Sequence, residues 1–291
     1  MIVELISDYG SVSVETVPER TVDGLLWKLT DLKRYFSSKM RNDIEEMPDA
    51  DGGFDPDQTY RRPKSMTLEG IISASSSEVA VASGYLHLNG LDPFGRGLTL
   101  RVTDPTGVYD FAVRLDDVDV VPFTDRRARF QVGVTAVDPR KYGPADTVTV
   151  GPAGTSEDGL IFPLFGAVDT GTLDFGAFSP SGRVTITNDG KAPSWPSFVI
   201  RGQIDSDGFQ IVSDANVIEF LGAVPGGAEL SLSPYAGGRA VMSNVDVTGE
   251  FLTRSEWSVV APGESRSYSF IPLGDTDENA QMTVQFRKAW W

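Results

Sequence analysis

Leu98-Thr99-Leu100-Arg101-Val102 alternates apolar and polar side chains along the chain. A period of two sends one side of the backbone into a core and the other into water, the pattern of a half-buried strand. The alternation recurs at Arg183-Val184-Thr185-Ile186-Thr187, Glu229-Leu230-Ser231-Leu232-Ser233, Ser267-Tyr268-Ser269-Phe270-Ile271 and Gln281-Met282-Thr283-Val284-Gln285-Phe286. Between such runs, 30 glycines and 18 prolines punctuate the chain at short intervals. Many short strands separated by turn residues predict a mainly β protein built from sandwiches or small barrels.

One helix is well signalled. Ser75 is placed to cap it, and Glu78 three residues later completes a capping box. Val79, Ala82 and Leu86 fall on one face, with Val81, Tyr85 and Leu88 beside them, and Asn89-Gly90 supplies the stop. A second, weaker helical stretch is expected from Leu25 to Tyr35. Glu45 to Asp57 reads EEMPDADGGFDPD and is expected to be a mobile acidic loop. Tyr142 to Gly159 is a run of Gly, Pro, Ala, Thr and Ser between two strand-rich blocks. The domain boundary is placed there, giving a first domain over 1–146 and a second over 147–291. No repeat of fixed period is present.

The 291 residues amount to roughly two average domains. Against 25 basic residues stand 41 acidic ones, a formal charge of −16. Met1 to Val150 holds 17 basic and 24 acidic residues, and Gly151 to Trp291 holds 8 and 17, so both halves are acidic. Such a surface does not displace counterions from phosphate, which argues against nucleic-acid binding. The absence of cysteine excludes disulfides, thiolate catalysis and zinc–sulfur sites. Glu4 and Asp8 interrupt the apolar core that a signal peptide would need. Leu160 to Val168, the longest apolar stretch, is too short to cross a membrane. A soluble product made in a cytoplasm is expected.

Reactive chemistry is hard to assemble from these residues. The one histidine, His87, lies between Leu86 and Leu88 on the expected helix, where a packed or surface role outweighs a catalytic one. No nucleophile elbow, phosphate-binding loop or dinucleotide fingerprint occurs; Gly95-Arg96-Gly97 lacks the third glycine. Asp116, Asp117 and Asp119 lie on an expected strand and read as a solvated edge rather than a glycosidase pair. Asp205-Ser206-Asp207-Gly208 begins like a calcium loop, but Phe209 stands at the next ligand position and a tight hairpin turn explains it better. Asp49, Asp51, Asp55 and Asp57 lie in the acidic loop, and such loops usually hold no ion. No catalytic residue, metal or cofactor is expected. Trp195, Tyr235, Trp257, Tyr268, Trp290 and Trp291 gather in the second half; exposed rings there would be sugar-stacking platforms, buried ones core or interface. Trp290-Trp291 is expected to be buried against the fold or a neighbouring subunit.

Several blocks resemble the distal tail proteins of phages with long, non-contractile tails. Asp138-Pro139-Arg140-Lys141-Tyr142-Gly143 is similar to the end of that family's N-terminal domain. Arg61-Arg62-Pro63-Lys64, followed by Met66 to Gly70, is similar to the basic turn and strand that open its core. Val184 to Asn188-Asp189-Gly190, then Trp195-Pro196 and Phe198 to Gly202, resembles the pattern of strand, Asn-x-Gly turn, proline and strand ending in glycine. Trp257, Ala261-Pro262-Gly263-Glu264-Ser265 and Val284 to Arg287 and Trp290 resemble the closing pattern. The resemblance implies a tail-tube-like N-terminal domain, a sandwich or split barrel with one helix, and a C-terminal galectin-like β-sandwich. It implies a non-enzymatic virion protein at the distal end of the tail, assembled in the host cytoplasm as a homo-hexameric ring. Its implied partners are the tail tube protein, a tail-tip fibre or lysin protein, and a receptor-binding protein or host glycan. DNA would only pass through the lumen, for which an acidic wall is expected because it repels phosphate within roughly a Debye length of 8 Å. A carbohydrate-binding module contacting cell-wall glycans is the alternative function, and a wall-degrading glycosidase a weaker one.

Overall fold

The computed structural model describes residues 1–18, 24–41, 46–47, 51, 59–153, 182–234, 237–277 and 279–291. The acidic stretch 45–57, the apolar stretch 160–168, Tyr235 and the later part of the expected linker lie wholly or mostly outside the described residues. The chain is mainly β and divides into two compact units. One comprises Met1–Pro144 together with Trp290–Trp291, the other Ala145–Ala289.

The first unit holds β1 (Ile2–Ser7), β2 (Gly10–Glu15), β3 (Leu26–Lys33), β4 (Met40–Arg41), β5 (Tyr60–Arg61), β6 (Lys64–Ser73), helix α1 (Ser77–Gly90), β7 (Leu98–Asp104), β8 (Gly107–Thr124), β9 (Arg127–Ala136) and the start of β10 (Lys141–Val150). Seven strands run in the order β8-β7-β1-β2-β3-β6-β9, and β8 pairs again with β9. The sheet therefore closes into a barrel. Closure is possible because β8 is long: Gly107 to Val113 pair with β7, and Arg114 to Thr124 pair with β9. A register shift between Leu115 and Asp117 bends the strand between its two partners. Alternation fills the interior. Leu98, Leu100 and Val102 of β7, Met66, Leu68 and Ile72 of β6, and Phe130, Val132 and Val134 of β9 are all buried.

The stretch from Leu25 to Tyr35 forms strand β3 and not a helix. Leu25, Trp27 and Leu29 alternate inward, then a one-residue bulge between Leu29 and Asp31 moves the next inward position to Leu32. Spacings of four and three among Leu25, Leu29 and Leu32 imitate a helical face, but a bulged strand produces them as well.

Helix α1 forms where expected, with a different cap and a different face. Ser76, rather than Ser75, caps it and accepts a hydrogen bond from the Val79 amide at 3.3 Å. The start is fixed from outside, since the Ala74 and Ser77 amides bond the Arg126 and Asp125 carbonyls. Leu91, in right-handed helical conformation, closes the C-terminus, so Gly90 is not used as a left-handed stop. The buried positions are Ala80, Gly84 and Leu88, while Val79, Tyr85 and Leu86 are exposed. Small residues win the inner face because the helix lies close to the barrel: a Cβ on Gly84 would meet Ile72 Cδ1 at 2.4 Å.

The second unit continues β10 and holds β11 (Arg183–Thr187), β12 (Ser197–Arg201), β13 (Phe209–Ser213), β14 (Asn216–Phe220), β15 (Glu229–Ser233), β16 (Arg239–Met242), β17 (Val245–Asp246), helix α2 (Thr248–Phe251), β18 (Leu252–Ser255), β19 (Ser265–Pro272) and most of β20 (Gln281–Trp290). One sheet runs β17-β16-β15-β12-β20 and the other β11-β19-β13-β14-β18. Phe198, Ile200, Leu230, Leu232, Met282 and Val284 of the first sheet share one core with Ile186, Phe209, Ile211, Phe220, Tyr268 and Phe270 of the second. Two sheets enclosing one apolar layer make a sandwich. Asp205-Ser206-Asp207-Gly208 turns tightly, Gly208 at φ 77° with its amide bonded to the Asp205 carbonyl at 3.0 Å. It is not a hairpin turn, because β12 and β13 belong to different sheets.

Candidate functional site

The basic turn and the block Asp138 to Gly143 come together at one end of the barrel. Asp138 and Pro139 connect β9 to β10, and the Asp138 carboxylate accepts from its own loop: the Arg140 amide at 3.1 Å, Arg140 Nη2 at 2.6 Å and Tyr142 Oη at 2.7 Å. Burial pushes the Asp138 pKa up, but the bonds from Arg140 and Tyr142 outweigh it and hold the group below its ordinary value. The carboxylate therefore remains charged and ties the loop shut. Gly143 is buried beyond it.

Beside this loop lies a buried polar group that the sequence did not single out. Tyr35 Oη donates to Asp104 Oδ2 at 2.8 Å. Asp104 also accepts from the Thr106 amide at 2.7 Å, shaping the turn between β7 and β8. Lys64, 8% exposed, donates to the Tyr35 carbonyl and lies 5.1 Å from the centre of the Phe111 ring. Lys141 stands 4.1 Å above the Tyr109 ring, whose edge meets Trp290 at 5.2 Å. Burial, helped by the charge of Lys141, lowers Lys64 to about 8. Lys141 is also lowered by burial, with Asp104 opposing. Burial raises Asp104, but bonds from Thr106 and Tyr35 and the charge of Lys141 bring it below its ordinary value. Burial, Asp104 and Tyr109 push the Tyr35 phenol upward, so it stays a donor. The last two residues complete this end, with Trp290 against Tyr109 and the Arg61 guanidinium 4.3 Å over the Trp291 ring.

In the sandwich the singled-out residues gather at strand ends. Asn188 is fully buried; its Nδ2 donates to the Ala192 and Val260 carbonyls, each at 2.9 Å, and its Oδ1 accepts from the Gly190 amide at 3.0 Å. The Asn188 carbonyl accepts from the Gly263 amide at 2.7 Å, joining the turn to Pro262-Gly263. Gly190 is required by space: a Cβ there would lie 2.3 Å from the Ala289 carbonyl oxygen. Gly202, at φ 95°, faces the Ala280 backbone as closely. Pro196 is buried just before β12, and Arg287 offers its backbone carbonyl to the Ser194 hydroxyl at 2.7 Å. Trp257 stacks on Phe198 at 5.8 Å with its indole N–H donated to Ser255. No two of these groups form a nucleophile and base; they hold turns. Among the described residues, no three metal-ligating side chains converge.

No family model matches the chain, and no curated protein matches it. Solved structures do. The SPP1 Dit protein, a hub of the adsorption apparatus in phages infecting Gram-positive hosts, aligns with TM-score 0.58 at 13% identity, covering 90% of this chain and 93% of its own. A chain of the phage P2 baseplate, in its activated conformation with Ca, aligns with TM-score 0.54 at 10% identity over 98% and 97%. The corresponding structure with Sr gives TM-score 0.51 at 11% identity. The chain has a Dit-like fold.

The Dit-like barrel and sandwich leave the remaining candidates in plain positions. His87 bonds the Ser83 carbonyl on its own helix at 2.7 Å. Asp116, Asp117 and Asp119 are exposed on β8, and Asp116 accepts from Thr135 at 2.7 Å. Tyr268 is buried in the sandwich core and Trp257 is half-buried against it, whereas Trp195 is 37% exposed. Among the described residues no helix is long and apolar enough to cross a membrane.

Proposed function

We propose that this chain is a structural hub protein of a phage tail. Its barrel closes a hexameric ring that joins the tail tube to the tail tip, and its galectin-like sandwich anchors fibres or receptor-binding parts. The observation that carries this is the alignment of nearly the whole chain with nearly the whole SPP1 Dit hub protein. A ring needs a heterologous contact between unlike patches on successive copies. The polar clusters, each tying down a turn, suit a part that works by rigid fit rather than by turnover, so the chain acts without catalysis. DNA passes along the acidic lumen without being held. Light scattering of the purified chain, with electron microscopy of the same sample, tests this. Six copies in a ring are expected; a monomer at every concentration, or turnover of cell-wall polymer, overturns it.

The glycan-binding alternative keeps one specific observation, the exposure of Trp195. A glycan array tests it: binding lost in Trp195→Ala supports it, and an empty array removes it.

A further inference from the structure

A cleft of about 510 Å³ opens in the first unit between the β1–β2 turn and the last turns of α1. Tyr9, Val12, Leu86 and Leu91 give it apolar walls, with His87 beside them. Clefts of roughly 300–1,000 Å³ are large enough to take an inserted group. Leu86 is 71% exposed at its rim, Tyr9 is 48% exposed, and the Tyr9 ring meets that of Phe94, itself 67% exposed, at 5.7 Å. A contiguous apolar stretch of this kind marks a contact surface. A second exposed apolar group stands at the other end of α1. Val121 to Arg127, the end of β8 and its turn into β9, are exposed throughout. A register shift between Pro122 and Thr124 leaves Phe123 out of the pairing with β9, and such a bulge re-aims a side chain. The Arg129 guanidinium lies 5.1 Å over the Phe123 ring. The turn is fixed to the start of the helix, because the Ala74 and Ser77 amides bond the Arg126 and Asp125 carbonyls. Phe123 is thus held in place before any partner arrives, which lowers the entropic cost of a contact. The 14 residues of α1, at 1.5 Å each, set this turn and the cleft about 20 Å apart. No copy can fill its own cleft with its own Phe123.

We propose that Phe123, at the end of β8, enters the α1 cleft of the next copy of this chain. The inference rests on the ring proposed above and names the two surfaces that would close it. A ring needs each copy to present a patch unlike the one it meets. A fixed, outward aromatic ring at one end of a helix and an apolar cleft at the other are such a pair, and they repeat head to tail. The charges beside them agree in sign. Arg126 and Arg127 outnumber Asp125 at the turn, while Asp8 and Asp92 flank the cleft, with Arg96 to one side over the Phe94 ring. Copies carrying a charge of −16 repel elsewhere, so these charges orient the encounter and the apolar insertion holds it.

The chain has no cysteine, so introduced thiols report without background. Gly90→Cys places one at the cleft, where a Cβ meets nothing within 4 Å, and Thr124→Cys places one at the exposed turn. A full-length chain carrying both substitutions cannot link within itself, because a disulfide needs Cα atoms within roughly 7 Å and the two positions lie about 20 Å apart. Mild oxidation is expected to give a ladder of linked copies on a non-reducing gel, with the peptide joining positions 90 and 124 identified by mass. Adding Phe123→Asp lowers the linked material about tenfold, and adding Leu86→Asp instead lowers it as much from the other side of the contact. Both positions are exposed, and circular dichroism confirms that each variant is folded. Links between like positions in place of 90–124 links, the absence of a ladder, or a ladder indifferent to both substitutions each overturn the proposal. Light scattering of the parent chain separates the failures. A ring whose copies do not link through these positions removes this contact alone, and a monomer removes the ring as well.

Discussion

Lys64 is a cation placed where a cation is costly, and Lys64→Met measures the cost. The ammonium is 8% exposed, bonded to the Tyr35 carbonyl and flanked by the Phe111 and Tyr35 rings at 5.1 and 5.5 Å. Burial, then the neighbouring charge of Lys141, bring it from the ordinary 10.5 to about 8. At about 1.4 kcal/mol per unit, this amounts to about 3 kcal/mol favouring the neutral amine in the folded state. Because the folded value lies below the unfolded one, the unfolded chain binds more protons between pH 8 and 10.5. The penalty is complete below pH 8, shrinks as pH rises, and is gone above 10.5. Methionine keeps the stem but loses the bond to the Tyr35 carbonyl, at a cost of about 1 kcal/mol. The variant is therefore expected to be about 2 kcal/mol more stable than the parent at pH 7, and slightly less stable above pH 10.5. Urea unfolding across that range, followed by tryptophan fluorescence to which Trp27 in the barrel core contributes, reads the difference, in which other titrations cancel to first order. A gap between the two proteins that does not change with pH refutes the reasoning. Direct NMR titration of Lys64 near its ordinary value does so too.

Asn188→Ala leaves the Ala192 and Val260 carbonyls and the Gly190 amide without their side-chain partner, and is expected to destabilise the sandwich by about 3 kcal/mol; thermal unfolding checks it. Trp290→Ala removes the ring packed against Tyr109 and is expected to cost the barrel about 2 kcal/mol, read as faster amide exchange in β8. Gly70→Ala places a Cβ 2.4 Å from the Lys28 carbonyl oxygen and from the Phe130 ring, so a loss of about 1–3 kcal/mol is expected in urea unfolding.

The strands were readable because alternation is a local signal. The runs at Leu98, Arg183, Glu229, Ser267 and Gln281 all lie within strands β7, β11, β15, β19 and β20. Helix α1 was readable as a helix, but its inner face was not. Apolar size pointed to Val79 and Leu86, while close approach to Ile72 selected Ala80 and Gly84. Strand β3 was hidden by its bulge, which replaces a period of two with helix-like spacing. The polar cluster was unreadable for a different reason. Tyr35 and Asp104 are 69 residues apart, and nothing local marks them as partners. Lys64 and Lys141 did fall within the two quoted motifs, so those motifs marked the place without naming its chemistry.

What the motifs have in common explains how a fold persists at 10–13% identity while no family model matches. Asp138-Pro139, Asn188 with Gly190, Gly202 and Pro262-Gly263 all stand at strand ends, where a positive φ, a close backbone approach or a buried turn carbonyl admits few residues. Between them the fold asks only for alternation, which any mixture of Val, Ile, Leu and Phe satisfies. A barrel and a sandwich are thus specified by a sparse set of turn residues and a binary pattern. Outward-facing positions are then free to change with each partner.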